Sequence, residues 1–234
     1  MFRYRLVRFL LKLVQMTISR LVVNGRDHIP ASGPYIVAVN HMSVADTPIL
    51  LISFPIIKWR FFAGEKWRSH WLYGPIMSWL GAVYIDRGAV DRAALKEALA
   101  ALVAGHVFGL APEGSRSKVG YMQEARGGVA YLASRANVPI LPVGLVNTDV
   151  LFANTKRLRR TQLVANIGPA FTLPDLGRRP RAQDMEAYTH YIMIRIAAQL
   201  PPRYHGIYAD SPALAALLAG EDPWPCCQQV AERP

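Results

Sequence analysis

The sequence predicts an α/β protein: a mixed, largely parallel central sheet flanked by helices, with an N-terminal amphipathic helix at a membrane surface. Two observations carry that class. Between residues 82 and 146, short apolar runs alternate with longer stretches of helical period, the pattern of a parallel sheet. Ahead of them, residues 1–22 present one basic and one apolar face at 3.6 residues per turn. The length sets the scale, since 234 residues suit one domain with small appendages. The expected organisation is a membrane-associating helix over 1–22, a main domain over 23–206 and a loosely attached tail over 207–234.

Each element follows from its residues. "MFRYRLVRFLLKLVQMTISRL" sets Arg5, Arg8, Lys12, Gln15 and Ser19 on one helix face, with Leu6, Phe9, Leu10, Leu13 and Ile18 largely opposite. Its charges interrupt any run long enough to span a bilayer, and it lacks the small-residue site of a cleaved signal. Such a helix either lies in the plane of a membrane interface or packs on its own domain. "LVVNG" reads as a strand, "RDHIPASG" as a loop and "PYIVAV" (34–39) as a second strand, with a helix from about Asp46 to Ile57. Residues 58–81 mix aromatic and basic side chains and predict a strand and then a short helix.

"AVYID" (82–86) is a strand. The stretch 91–105 has Leu95, Leu99, Leu102 and Val103 at helical spacing, with Gly105 as a stop. "VFGLA" (107–111) is a strand halted by Pro112, 124–137 a helix closed by Asn137, and "PILPVGLV" (139–146) a buried strand. A strand over 161–168 and a long helix over 182–200 follow. Pro212, Pro223 and Pro225 mark the remainder as the tail.

Composition narrows the partners. Hydrophobic residues make up 52% of the chain, and the formal net charge is +11. Mean hydropathy is +0.15 and the isoelectric point about 10.0, so an anionic partner is expected. Nucleic acid fits worst, for no recognised fold motif or basic-aromatic groove appears. The two cysteines, Cys226 and Cys227, are neighbours and cannot staple distant segments, which points to a reducing compartment. The six histidines form no metal-ligand spacing, and neither a metal nor any other cofactor is expected.

The chemistry concentrates after three strands. "NHMSVAD" (40–46) follows "PYIVAV" and puts His41 and Asp46 five positions apart. One reading is structural, since Ser43 and Asp46 fit a Ser-x-x-Asp capping box. The other is catalytic: His41 as general base, with Asp46 fixing its tautomer. On one continuous helix the two would lie roughly 140° apart, so they meet only if His41 sits in the turn before the helix. Parallel strands bring this stretch beside Arg87, after "AVYID", and beside "PEGSRS" (112–117), because ligands gather at the C-terminal strand edge. Arg87 and Arg116 then form an anion clamp, and the amides of "EGSRS" add donors. Glu113 reads as an ion-pair partner for Arg116, holding that arginine in place and so serving the chemistry indirectly. Neither Ser115 nor Ser117 fits a nucleophile elbow, so the dyad suits activation of a substrate hydroxyl.

These motifs resemble the lysophospholipid acyltransferase family, the bacterial 1-acyl-sn-glycerol-3-phosphate acyltransferases in particular. "NHMSVAD", "GAVYIDRG", "APEGSRS" and "VPILPVGL" stand in the family's order across residues 23 to 146. The resemblance implies that residues 23–206 are an acyltransferase domain. Its members move a fatty acyl group from acyl-CoA or acyl-carrier protein to the free hydroxyl of a lysophospholipid. Carried over, His41 deprotonates that hydroxyl and Asp46 orients His41. Arg87 and Arg116 hold the glycerol phosphate, and Glu113, Gly114 and Ser115 shape the pocket. The implied product is phosphatidic acid, and the implied place is the cytoplasmic face of a membrane, peripheral or monotopic.

Three departures bear on substrate choice. Ala111 replaces the usual phenylalanine and Ser115 the usual threonine, and Arg126 in "QEARGG" is the nearest basic residue downstream. Another lysolipid, such as a lyso-ornithine lipid or lysophosphatidylglycerol, is the alternative acceptor. A non-catalytic basic membrane-binding protein and an acyl-CoA hydrolase are the rival readings. Two basic clusters, Lys156-Arg157-Arg159-Arg160 and Arg178-Arg179-Arg181, suit an anionic bilayer, donor phosphates or plain solvation.

Overall fold

The computed structural model describes residues 2–55, 59–86 and 91–231. Helix α1 (Phe2–Ile18) runs directly into strand β1 (Ser19–Asn24). The next units are β2 (Tyr35–Val39) with α2 (Asp46–Ser53), and β3 (Trp59–Gly64) with α3 (Tyr73–Leu80). After them come β4 (Ala82–Ile85), α4 (Arg92–Val103), β5 (Val107–Leu110), α5 (Gly128–Ala136) and β6 (Ile140–Val146). The chain closes with α6 (Leu151–Lys156), β7 (Thr161–Ile167), α7 (Ala182–Ala197), α8 (Pro212–Leu218) and α9 (Trp224–Ala231).

The sheet order is β1-β7-β6-β2-β5-β3-β4. From β6 to β4 every neighbouring pair is parallel, as the strand–helix alternation predicts. β7 is antiparallel to β6, and β1 lies parallel to β7 with Ser19 opposite Thr161. Side chains alternate between two cores. Ile36, Ala38, Phe108 and Leu110 face α4, α5 and α7. Tyr35, Val37, Val39, Trp59 and Phe61 face α1 and α2.

Four features differ most from the sequence reading. α2 ends at Ser53, just ahead of Pro55, instead of running on to Ile57, which lies outside the described residues. α5 starts at Gly128 instead of residue 124, because Arg126 donates its backbone N–H back to Pro112 O at 2.8 Å. α6 is six residues long, too short to show a helical period, and the sequence reading missed it. The tail is the fourth. Residues 207–231 are not loosely attached: α8 and α9 pack on α7, Cys227 is fully buried, and Trp224 stacks on Tyr188 with ring centroids 5.2 Å apart. Burial pushes the Cys227 thiol up to about 12, which makes it inert at neutral pH.

α1 also packs in an unexpected sense. It turns Tyr4, Val7 and Gln15 inward, while Phe2, Phe9, Leu10, Val14 and Met16 are each more than half exposed. Arg8, on the polar stripe, donates to the carbonyls of Leu51, Phe54 and Pro55 and so satisfies the orphan acceptors at the end of α2. The helix therefore does pack on its own domain, through Tyr4, Val7, Leu11, Gln15 and Ile18 with Arg8 at the edge of that seat, while Arg5, Lys12 and most of the larger apolar side chains stay outward. No helix among the described residues is long and apolar enough to cross a membrane.

Candidate active site

β2 ends at Val39 and the chain turns through Asn40 and His41 before α2 begins at Asp46. Asn40 is fully buried and fixes the turn to the sheet. Its amide Nδ2 donates to Leu145 O at 3.0 Å, and its Oδ1 accepts from Leu145 N at 2.7 Å. His41 is thus held at the C-terminal edge of the parallel strands, in the turn before the helix as the geometry requires.

His41 Nδ1 lies 2.7 Å from Asp46 Oδ2. The same oxygen accepts the backbone N–H groups of Met42 and Ser43, each at 2.7 Å. Donors on that side hold the carboxylate where Nδ1 must be the protonated nitrogen, leaving Nε2 with a lone pair. Among the described residues Nε2 takes no partner. Only half of the capping box forms, since Ser43 Oγ accepts from Ala45 N at 3.3 Å rather than from Asp46 N. The structural and catalytic readings of "NHMSVAD" therefore coexist: Asp46 starts the helix turn and orients the base.

Glu113 is buried beneath this pair. Its Oε1 accepts the backbone N–H of His41 and its Oε2 that of Gln123, both at 3.0 Å. Among the described residues it forms no ion pair with Arg116, so the expected hold on that arginine is not made, and the carboxylate is spent on backbone amides instead. Ser117 N donates to His41 O at 2.8 Å, so the loop after β5 clasps His41 by both backbone groups. Burial raises the Glu113 carboxyl to about 6, against the lowering effect of those two amides.

The sign follows from that direction. A carboxyl harder to ionise folded than unfolded contributes stability below its ordinary pKa of 4.5. That contribution is lost as pH rises through about 6. Glu113→Gln is expected to flatten the stability profile across that window by about 2 kcal/mol, which urea melts at successive pH values check.

Gly114 adopts φ 71°, where a side chain is strained, and an added Cβ there would meet Arg126 Cδ at 3.0 Å. Arg126 and Gly114 both line a cavity of about 930 Å³ that opens at His41. Its lining comes from both faces of the sheet. Leu50, Leu51, Trp59 and Phe61 belong to the α2 side, and Phe62, Ile85, Leu95, Leu99 and Val129 to the α4–α5 side. Ser115 and Arg116 are exposed beside the cavity and do not line it. Arg87 lies outside the described residues. Asp91 caps α4 through Ala94 N at 2.9 Å and accepts Asp86 N at 3.2 Å.

The sequence reading missed Asn40 as an anchor and, though it leads one to expect a tunnel for the acyl chain, it assigned none of the tunnel's lining. An amide at the end of a buried strand was the available signal for the first. The wall is assembled from five separate segments and left no local signal. The aromatics of 58–81 divide: Trp59 and Phe61 are core, whereas Trp71 is 82% exposed and Tyr73 43% exposed. Of the second basic cluster, Arg178 is committed to Asp184 through two bonds of 2.6 and 2.9 Å. Among the described residues no group of His, Cys, Asp and Glu could hold a metal ion.

The family model described as Acyltransferase matches residues 20–146, from β1 through the end of β6. The chain belongs to the acyltransferase family. The 1-acyl-sn-glycerol-3-phosphate acyltransferase of Borreliella burgdorferi is 26% identical over 137 residues, 57% of this chain and 54% of that protein. The human 1-acyl-sn-glycerol-3-phosphate acyltransferase alpha is 30% identical over 143 residues, 59% of this chain and 50% of that protein. The chain spans about half the length of the curated relatives it matches. In fold it is similar to the crystal structure of the 1-acyl-sn-glycerophosphate acyltransferase of Thermotoga maritima, with TM-score 0.64 and 24% identity. That match covers 81% of this chain and 76% of the other. His41, Asp46 and Glu113 all fall inside the segment that the acyltransferase family model matches.

Proposed function

We propose that the chain transfers a fatty acyl group from a thioester donor, acyl-CoA or acyl-carrier protein, to the free hydroxyl of 1-acyl-glycerol-3-phosphate. The observation that carries this reading is the His41–Asp46 pair, 2.7 Å apart, at the mouth of an apolar cavity of about 930 Å³. His41 Nε2 takes the hydroxyl proton as the hydroxyl oxygen attacks the thioester carbonyl. The tetrahedral intermediate then expels the thiolate, which recovers the proton from the imidazolium. Asp46 steadies the imidazolium charge between those steps. Arg87 and Arg116 hold the acceptor phosphate, Arg126 adds positive charge at the cavity mouth, and Ser115 presents its hydroxyl beside them. Glu113 positions His41 through the backbone and does not touch substrate. The relatives' names support the acceptor, and the outward apolar side of α1 supports a peripheral place on a membrane.

The test follows free thiol release from a long-chain acyl-CoA with and without lysophosphatidic acid. Release that depends on the acceptor is expected; release without it makes the protein a thioesterase. Activity with a different lysolipid in place of lysophosphatidic acid moves the acceptor within the same chemistry.

The cavity floor gives a second expected outcome. A Cβ on Gly109 would press on the Trp59 ring at 2.9 Å and touch Leu50 Cδ2 at 3.7 Å, both of which line the cavity assigned to the acyl chain. Gly109→Val is expected to shift donor preference toward shorter chains by roughly tenfold in relative kcat/KM, read from a chain-length series.

A further inference from the structure

α6 ends at Lys156 and its last turn closes with Arg157, Leu158 and Arg159. Asn154 O accepts from both Arg157 N and Arg159 N at 2.9 Å, and Leu158 takes φ 55°. A left-handed residue just past a helix end is usually glycine, because a Cβ is penalised there. Here it is a leucine, and that leucine is 96% exposed. The residue is therefore unfavourable twice over in the free protein, in backbone conformation and in hydration. Such an outlier on a hydrogen-bonded turn points to use elsewhere.

Its surroundings say what for. Lys156, Arg157 and Arg159 flank Leu158, are exposed, and form no ion pair among the described residues. Arg160 donates to Met16 O at 2.6 Å and to Ser19 O at 2.9 Å, tying the turn to the end of α1. Val14 and Met16, on that end of α1, are themselves more than half exposed. Because β6 is parallel to β2, α6 leaves the sheet at the edge that holds His41.

We infer that residues 156–160 form a second membrane anchor, in which Leu158 inserts into an anionic phospholipid bilayer while Lys156, Arg157 and Arg159 bind its headgroups. The inference rests on the membrane reading above and extends it to a site 140 residues from α1 in sequence. One leucine among cations suits a headgroup–acyl boundary, where the tip meets hydrocarbon and the flanks meet phosphate. Continuity with the apolar side of α1 favours an extended bilayer over the bounded surface of a carrier protein. Docked so, the sheet edge with His41 lies at the level where a lysolipid presents its hydroxyl.

The test uses sedimentation of the full chain with phosphatidylcholine vesicles, with and without a phosphatidylglycerol fraction. Leu158→Gly suits the left-handed turn, so its melting temperature is expected to be unchanged or raised while partition to anionic vesicles falls roughly tenfold. Arg157→Gln and Arg159→Gln are each expected to cost about fivefold and to reduce the salt dependence. Acyl transfer to a soluble short-chain acceptor is expected to be unchanged in all three. Partition of Leu158→Gly equal to wild type, with Leu13→Asp in α1 still weakening it, overturns the second anchor and leaves the membrane reading intact. A wild-type chain that binds neither vesicle overturns both. Unchanged partition with activity lost only on an acyl-carrier-protein donor reassigns the turn to that protein and overturns the bilayer.

Discussion

His41→Ala is expected to lower acyl transfer by ~10²–10⁴-fold with little change in melting temperature. The side chain is 15% exposed and Asp46 is its one side-chain partner among the described residues, so removing it disturbs little packing. The turn itself is held by main-chain groups: His41 N on Glu113 and His41 O on Ser117 N, which alanine keeps. Loss of the base without loss of the fold is therefore the signature. Thiol release beside a thermal melt of the same preparation reads both. Full activity in a folded His41→Ala protein would sink the general base and leave "NHMSVAD" as a helix start alone.

Asp46 carries a different prediction, because its one oxygen serves both roles. Asp46→Ala removes the acceptor for His41 Nδ1 and for the backbone of Met42 and Ser43 in a site where Asp46 is 2% exposed. Two buried N–H groups left without a partner cost roughly 1–3 kcal/mol each, so a fall of several degrees in melting temperature is expected along with the activity. Asp46→Asn separates the two roles. Its amide oxygen can still accept backbone N–H groups, but it lacks the charge that steadies an imidazolium. Stability close to wild type with transfer lowered by ~10²-fold or more is expected. Equal losses of stability and activity in both variants would show that Asp46 serves the fold only.

How far these features were legible depended on range. The β–α alternation and the His41–Asp46 pair are local patterns, and the structure keeps both. The rim was not legible, since β7 turns antiparallel to β6 and β1 then pairs with β7 across most of the chain, Ser19 opposite Thr161. Glu113 misled for a related reason. Arg116 is three residues away and is the obvious partner by sequence, whereas the actual donors are backbone amides that carry no residue identity. In the C-terminal segment, proline was read as punctuation. Pro212 in fact opens α8, at a position where its fixed φ helps and no N–H is needed. The orientation of α1 was half legible: its faces were clear, but the seat falls between them, on Tyr4, Val7, Leu11 and Gln15, with Arg8 capping α2 at its edge.

The clasp of Glu113 has a consequence for how this molecule fails. One carboxylate joins the turn bearing the base to the strand of chain that leads into Gln123, so the two segments open or close together. Neither belongs to a helix or a strand, and each is secured by a few bonds at the rim of the sheet. Local opening there requires far less than melting the seven strands beneath. On gradual warming the catalytic edge should come apart first, so that the protein becomes inactive while its far-ultraviolet dichroism is still native.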